Sequence, residues 1–280
     1  MSSLKEIKGR INSVKSTLKI TSAMKLVASA KLHKTSGYIG PLKAYEHELA
    51  RFLSELESSS GKYASPVSAE GKSAILVFSG NASLCGGYNA NVVKEAISTI
   101  AKYNDPEIIC IGKKGSEALV RRGIRVSDNL HDMLETPDYS RSCELAQRLV
   151  QGFETGKYSK IILVYTHYVS TSVQKVCSEV YLPFQPECTH GDFSPAERFI
   201  IEPGQEEIEA EVLSNYLKVK IHATLLDSLV SEYAARTVAM QTATDNGNNI
   251  LSDLTLEYNK GRQAKITSEI LDLAGGAQQQ

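Results

Sequence analysis

Two short stretches of this sequence carry the residue types that cradle phosphate: Gly86-Gly87, and Gly112-Lys113-Lys114-Gly115-Ser116. Backbone amides at a helix start, with a nearby lysine, are what a bound phosphate needs. Neither stretch completes G-x-G-x-x-G or G-x-x-x-x-G-K-[ST]. Ser83-Leu84-Cys85-Gly86-Gly87-Tyr88-Asn89 reads instead as a tight strand-to-helix turn with Asn89 near the cap, and the second stretch as a similar turn. Cys85 at a helix start is the one candidate for an activated thiolate, but no histidine stands in a recognisable relation to it, so a packed thiol is expected. His33, His47, His131, His167, His190 and His222 show no metal-binding spacing. The acidic run Glu206 to Glu211 fits the first turn of a helix, where carboxylates complement the dipole. No catalytic, metal or cofactor constellation emerges.

Composition narrows the class further. The formal net charge is −1, yet residues 1–43 carry nine lysines and arginines against Glu6 alone, whereas acidic residues dominate from 204 to 274. Ends of opposite sign attract, which fixes orientation and register. A basic stretch without interleaved aromatics before Tyr38 argues charge pairing with acidic partners rather than nucleic-acid binding. Cys85, Cys110, Cys143, Cys177 and Cys188 are odd in number and widely spaced, which suits free thiols in a reducing compartment. No apolar run reaches the eighteen residues of a membrane span, so direct membrane insertion is not expected.

The prolines, at 41, 66, 106, 137, 183, 186, 195 and 203, leave both ends of the chain free for long helices. Leu4, Ile7, Ile11, Val14 and Leu18 recur at spacings of three and four, the narrow seam of a coiled coil. Gly37 and Gly40-Pro41 should interrupt that helix. A second helical pattern runs from about Ile208 to Ala274 and should stop at Gly275-Gly276. Between them, Ala74–Phe78, Ile108–Ile111 and Ile161–Tyr165 read as buried parallel strands, alternating with helical patterns over 89–103, 116–122 and 141–154; 173–182 adds a last strand. The expected class is α/β: a long antiparallel coiled coil of the terminal helices (1–58 and 205–275) with an inserted Rossmann-like α/β domain (73–190).

Each terminal helix shows two apolar faces. At 100° per residue, Ile20, Ala23, Met24 and Val27 lie almost opposite the first seam. On the second helix, Ala243, Gly247, Ile250, Leu254, Gly261 and Ala264 form one line, with Leu256, Ile266, Ile270 and Leu273 across from it. The line with small residues permits close helix approach. The other needs a further partner: a third helix of this chain, or the apolar collar of another protein.

The ends also carry a resemblance. Ile11-Asn12-Ser13-Val14 and Lys19-Ile20-Thr21-Ser22-Ala23-Met24-Lys25-Leu26-Val27-Ala28 resemble the N-terminal signature of the gamma subunit of F-type ATP synthases. Ala239-Met240, Ala243-Thr244-Asp245-Asn246, Tyr258-Asn259-Lys260, Arg262-Gln263-Ala264 and Ile266-Thr267-Ser268-Glu269-Ile270 resemble its C-terminal signature, and Leu84-Cys85-Gly86-Gly87-Tyr88-Asn89 its turn after the first strand. The resemblance implies a non-catalytic rotor shaft, one copy per complex and without cofactor. In that family the coiled coil turns inside a ring of alpha and beta subunits, and the α/β domain stands with the epsilon subunit on the membrane c-ring. Proton flow through the complex then drives the catalytic beta sites. It also implies contacts with beta-subunit loops at Met24, Lys25, Arg236, Gln263 and Thr267, beside an outward apolar stripe of Ile20, Val27, Leu256, Ile266, Ile270 and Leu273. On an ideal helix Gln263 and Met24 face outward, whereas Lys25 and Arg236 fall nearer the seam. Asn81-Ala82-Ser83 stands where the family carries charged residues, so contacts made there by charge are not carried over. The implied location is peripheral, on the cytoplasmic side of a bacterial inner membrane, with the matrix side of the mitochondrial inner membrane as the alternative. Two other readings remain at this point, a coiled-coil adaptor that dimerises with itself and a nucleotide-binding α/β enzyme with helical arms.

Overall fold

The structure, a computed structural model, describes residues 4–55, 63, 65–66, 68, 71–184, 202 and 204–277, with the side chains of 55, 206 and 272–277 outside that description. Leu273 and Cys188 therefore lie outside the described side chains, as do 1–3 and 56–58 of the expected first helix and 185–190 of the expected domain. The chain divides into two compact units, residues 1–29 with 236–280, and residues 30–235.

In the larger unit, strands β1 (Lys72–Phe78), β2 (Glu107–Ile111), β3 (Asp128–Asn129), β4 (Tyr158–Tyr168) and β5 (Gln174–Leu182) form one sheet in the order β3-β2-β1-β4-β5. β1 pairs in parallel with β2 and β4, and β5 closes one edge antiparallel to β4. Helices α2 (Tyr88–Ile100), α3 (Lys113–Val120) and α4 (Tyr139–Glu154) lie between the strands in sequence, with a 3₁₀ turn at His131–Leu134. The strands are apolar at successive positions because both faces are covered. Ala74, Leu76, Phe78, Ile161 and Leu163 pack with Leu145, Leu149 and Phe153 of α4 and with Leu217, Ile221 and Leu225 of the C-terminal helix. Ile75, Val77, Cys110 and Val164 pack with Val92, Val93 and Ala96 of α2 on the other face. At Cys110 the same burial pushes the thiol pKa up to about 12, far from a reactive thiolate.

Two expected breaks are not breaks. Helix α1 runs unbroken over Leu4–Glu55 with Pro41 inside it. Proline removes the hydrogen bond to the Gly37 carbonyl and crowds it. That carbonyl belongs to an exposed glycine, and neither Gly37 nor Gly40 has a neighbour near its missing side chain. Ile39 and Leu53, either side of Pro41, are docked in the core with Leu32 and Leu42 against it, so tertiary packing overrides the local penalty. Helix α5 spans Gln205–Ala277 and stays helical through Gly275 and Gly276. Glycine weakens a helix by about 1 kcal/mol per residue but does not by itself end one. The third expected helix also starts earlier than read, since Lys113–Ser116 form its first turn rather than a loop.

His222 of α5 is half-buried against α4, with its Nδ1 2.9 Å from Ser142 Oγ and its ring edge-on to Tyr139 at 5.4 Å. Burial lowers its pKa from the ordinary 6.5, with the Asp138 charge opposing the shift. The unfolded chain therefore takes up this proton at higher pH than the folded chain. The stability held by neutral His222 is complete above about pH 6.5 and is lost as the pH falls through the imidazole range. Thermal melts between about pH 7.5 and pH 5.5 should show the decline. His222→Gln should flatten it; an unaltered slope in that variant would refute the assignment.

Candidate partner-binding surface

Of the two stretches that resembled phosphate loops, the second is already filled. Gly112 precedes α3 with φ of 124°, and the amides of the helix start are taken by the end of β1: Gly115 N donates to Ser79 Oγ at 2.9 Å, Lys114 N to the Gly80 carbonyl at 3.0 Å and Lys113 N to Asn81 Oδ1 at 3.0 Å. An anion there would find these donors engaged. Asn89 lies near the cap as expected, two residues past Gly87, the N-cap of α2. Its Oδ1 accepts from Gly80 N at 2.8 Å, and its Nδ2 donates to the Ala82 carbonyl at 3.1 Å and to Cys85 Sγ at 3.2 Å. Asn89 thus ties the turn to the strand, and Cys85 is buried within it. Among the described residues no group of three or more His, Cys, Asp or Glu side chains converges on a metal-sized site.

The other unit holds the surface of interest. Its seam is antiparallel and in register: Leu4 meets Gly261, Leu18 meets Gly247, and Thr244 Oγ1 donates to Thr21 Oγ1 at 3.0 Å. From Leu4 to Leu18 (18 − 4) and from Gly247 to Gly261 (261 − 247) the step is the same 14 residues, two heptads on each helix. Ile7, Ala28 and Met240 are buried in this unit. The C-terminal line differs from expectation in two places. Ile250 and Ala264 are exposed, and Leu251 and Tyr258 are the half-buried positions instead. Counting from Gly247, Ile250 falls about 60° to one side and Leu251 about 40° to the other, so a small helical offset decides between them.

The two seam glycines give opposite predictions. A Cβ on Gly261 would meet only the end of Leu4, at 3.1 Å, while relieving a glycine's helix penalty of about 1 kcal/mol, so Gly261→Ala should be neutral or stabilising in denaturant unfolding. On Gly247 a Cβ alone would stand 2.6 Å from Leu18 Cδ2. Gly247→Leu should therefore cost about 1–3 kcal/mol by overpacking, and unaltered stability in that variant would contradict the described register.

Across from the seam, apolar side chains stand in solvent: Ile20 at 60% exposure, Val27 at 57%, Leu256 at 58%, Ile266 at 47% and Ile270 at 59%. Leu26 and Leu271, which periodicity did not single out, are exposed as well, as is Ile250, which periodicity put on the seam. From Arg262 to Leu271 every side chain of α5 is exposed. Scattered surface leucines need no explanation, but a recurrent stripe on both helices does. Gln263 and Thr267 lie on this exposed stretch, the Thr267 hydroxyl donating to the Gln263 carbonyl at 2.9 Å. Met24, Lys25 and Arg236 are half-buried, so Met24 is less outward than an ideal helix puts it. No helix of the described residues is long and apolar enough to cross a membrane.

Fold and surface together define a class: a protein with a two-helix antiparallel seam, an apolar stripe left open on those helices, and an α/β domain inserted between the helices in the sequence. The ATP synthase family model matches residues 3–279. The chain is 42% identical to the ATP synthase gamma chain of Bacteroides thetaiotaomicron, with all of each chain covered, and 34% identical to that of Geotalea daltonii, with 99% of each covered. In fold it is similar to a chain of the rotor of the Euglena gracilis mitochondrial ATP synthase (TM-score 0.66, 18% identity, 94% of this chain and 98% of that one). A chain of the Tetrahymena thermophila mitochondrial ATP synthase central stalk and c-ring gives a TM-score of 0.57 at 19% identity, over 80% of this chain and 99% of that one. The chain belongs to the ATP synthase gamma-chain family. Its role is that of the central rotor shaft of an ATP synthase.

Proposed function

We propose that this chain does its work mechanically, with no catalytic residue of its own and in one copy per complex. The terminal-helix unit sits within a ring of alpha and beta subunits, and the α/β domain meets the epsilon subunit and the c-ring. The observation that carries this reading is the apolar stripe of Ile20, Val27, Leu256, Ile266 and Ile270, left exposed on helices whose mutual seam is already filled. A collar of apolar side chains would cover it, and differential contacts as the shaft turns would bias the surrounding subunits between conformations. On this reading Gln263 and Thr267 touch beta-subunit loops, and their exposure supports it. Met24, Lys25 and Arg236 contribute from the seam edge, each keeping part of its surface accessible. Among the curated relatives are bacterial gamma chains, which supports a peripheral position on the cytoplasmic side of a bacterial inner membrane.

Reconstitution tests it. Alpha and beta subunits should hydrolyse ATP cooperatively as a stable complex with the full chain, and a chain truncated after Tyr258, which lacks Gln263, Thr267, Ile266 and Ile270, should hold that complex less firmly. Assembly and turnover indifferent to the chain would remove the proposal. Nucleotide binding by the chain alone would revive the enzymatic reading.

A further inference from the structure

In the larger unit, α1, α5 and the sheet meet at two ionic clusters of opposite layout. In the first, the buried Asp227 carboxylate of α5, with 3% of its side chain exposed, receives Lys43 Nζ of α1 at 2.7 Å and Tyr168 N of β4 at 2.9 Å, and pairs with His167 Nδ1 of β4 at 2.7 Å. In the second, Lys220 Nζ of α5 lies between Glu46 of α1 at 2.9 Å and Glu179 of β5 at 2.8 Å, and Glu179 also accepts from the Tyr165 hydroxyl of β4 at 3.0 Å. Asp227 and Lys220 are seven residues apart, within about 20° of two full turns, so both clusters lie on one face of α5.

The layout resists sliding. On α5 the acid is at 227 and the base at 220; on α1 the base is at 43 and the acid at 46. Slipping α1 by one turn one way brings Glu46 toward Asp227, and the other way brings Lys43 toward Lys220. Either shift sets like charges together where the dielectric is low. The surrounding apolar core, with Leu217, Ile221 and Leu225, opposes separation, but burial has no direction and resists shear weakly. Hydrogen-bonded ion clusters have direction.

We propose that Asp227 and Lys220 are positioning residues that key α1 and α5 to the sheet, so that torque applied to the α/β domain enters the helix pair without slip. The proposal rests on the rotor role. In a rotor, work is stored or lost according to how stiffly the two helices follow the domain, and these clusters are the polar ties that span α1, α5 and the sheet together.

The test is the torsional stiffness of the rotor in an assembled complex of alpha and beta subunits with the full chain, the alpha and beta subunits fixed to a surface and a bead tethered through a tag in the 169–173 turn. Wild type should rotate with ATP; a bead that never turns would remove the rotor role itself. In Asp227→Asn and in Lys43→Met/Lys220→Met, the angular variance of the paused bead should rise about two-fold, as ties are cut in a network whose members support one another. Unloaded ATP turnover should stay at the wild-type rate. Val92→Ala, on the far face of the sheet, should lower the melting temperature while leaving the variance unchanged. Should the double variant fail to assemble, the near-isosteric Asp227→Asn decides. Unchanged variance in the assembled variants, or an equal rise in Val92→Ala, overturns the assignment.

Discussion

Replacing Ile266 and Ile270 together by aspartate should weaken the grip of this chain on an assembly of alpha and beta subunits by about a hundredfold or more. The two residues are i, i+4 neighbours on one face of α5, and both are about half exposed in the free chain. Covering the remaining apolar surface of an isoleucine is worth about half of the roughly 1.5–3 kcal/mol for full burial, so the pair contributes about 1.5–3 kcal/mol. That corresponds to about ten- to a hundredfold in affinity, and the desolvation cost of each carboxylate entering an apolar collar carries the loss to about a hundredfold or more. The free chain should hardly notice: exposed substitutions of this kind move stability by about 0.5 kcal/mol at most. Titration calorimetry of complex formation beside a thermal melt of the free chain separates the two. Unweakened assembly by the aspartate variant would mean that the stripe touches nothing.

Gly112→Ala should cost about 3–5 kcal/mol, near the upper end for a single substitution. A Cβ at Gly112 would lie 2.1 Å from the Ser79 carbonyl oxygen and 2.6 Å from Ser79 Oγ, with φ of 124° where L side chains are strained in any case. Neither obstacle is the end of a mobile side chain. Ser79 directly follows β1, and its hydroxyl also receives Gly115 N, so any movement also disturbs the start of α3. Gly123 is the control. It too has positive φ, 77°, but open space around its missing side chain, so Gly123→Ala should lose only about 1–2 kcal/mol. For the larger unit this difference should appear as a melting temperature lower by several degrees in Gly112→Ala than in Gly123→Ala. Equal melting temperatures would show that the β1–α3 junction is looser than its geometry.

What the sequence revealed follows from how local each cause is. Strands such as Ala74–Phe78 and Ile161–Tyr165 were legible because burial on two faces demands an unbroken apolar run. The seam from Leu4 to Leu18 was legible from its spacing alone. Pro41 was misleading, since the force that keeps α1 intact there comes from Ile39 and Leu53 in a core built by distant residues. The place of Asn89 near the cap was legible, but its role was not: bonding Gly80, Ala82 and Cys85 at once depends on how the turn folds back on the strand. The two-residue strand Asp128–Asn129 is too short to leave a periodic signal.

The surface was half legible. Ile20, Val27, Leu256, Ile266 and Ile270 were found because they lie opposite a recognisable seam. Ile250 was placed on the wrong face because the positions beside Gly247 differ by less than a right angle from either side of the seam. The opposite charges of the two ends predicted attraction in general. Two inter-helix pairs that do form, Lys43 with Asp227 and Glu46 with Lys220, lie in the sheet-bearing unit, and each needs a strand residue to complete it, which no helical periodicity could announce.

The rotor role is tested most directly by watching this chain turn. With the alpha and beta subunits fixed to a surface and a bead on this chain, ATP should drive continued rotation in one direction, at a rate that follows hydrolysis. A bead that only fluctuates while the same complexes hydrolyse ATP would contradict the account.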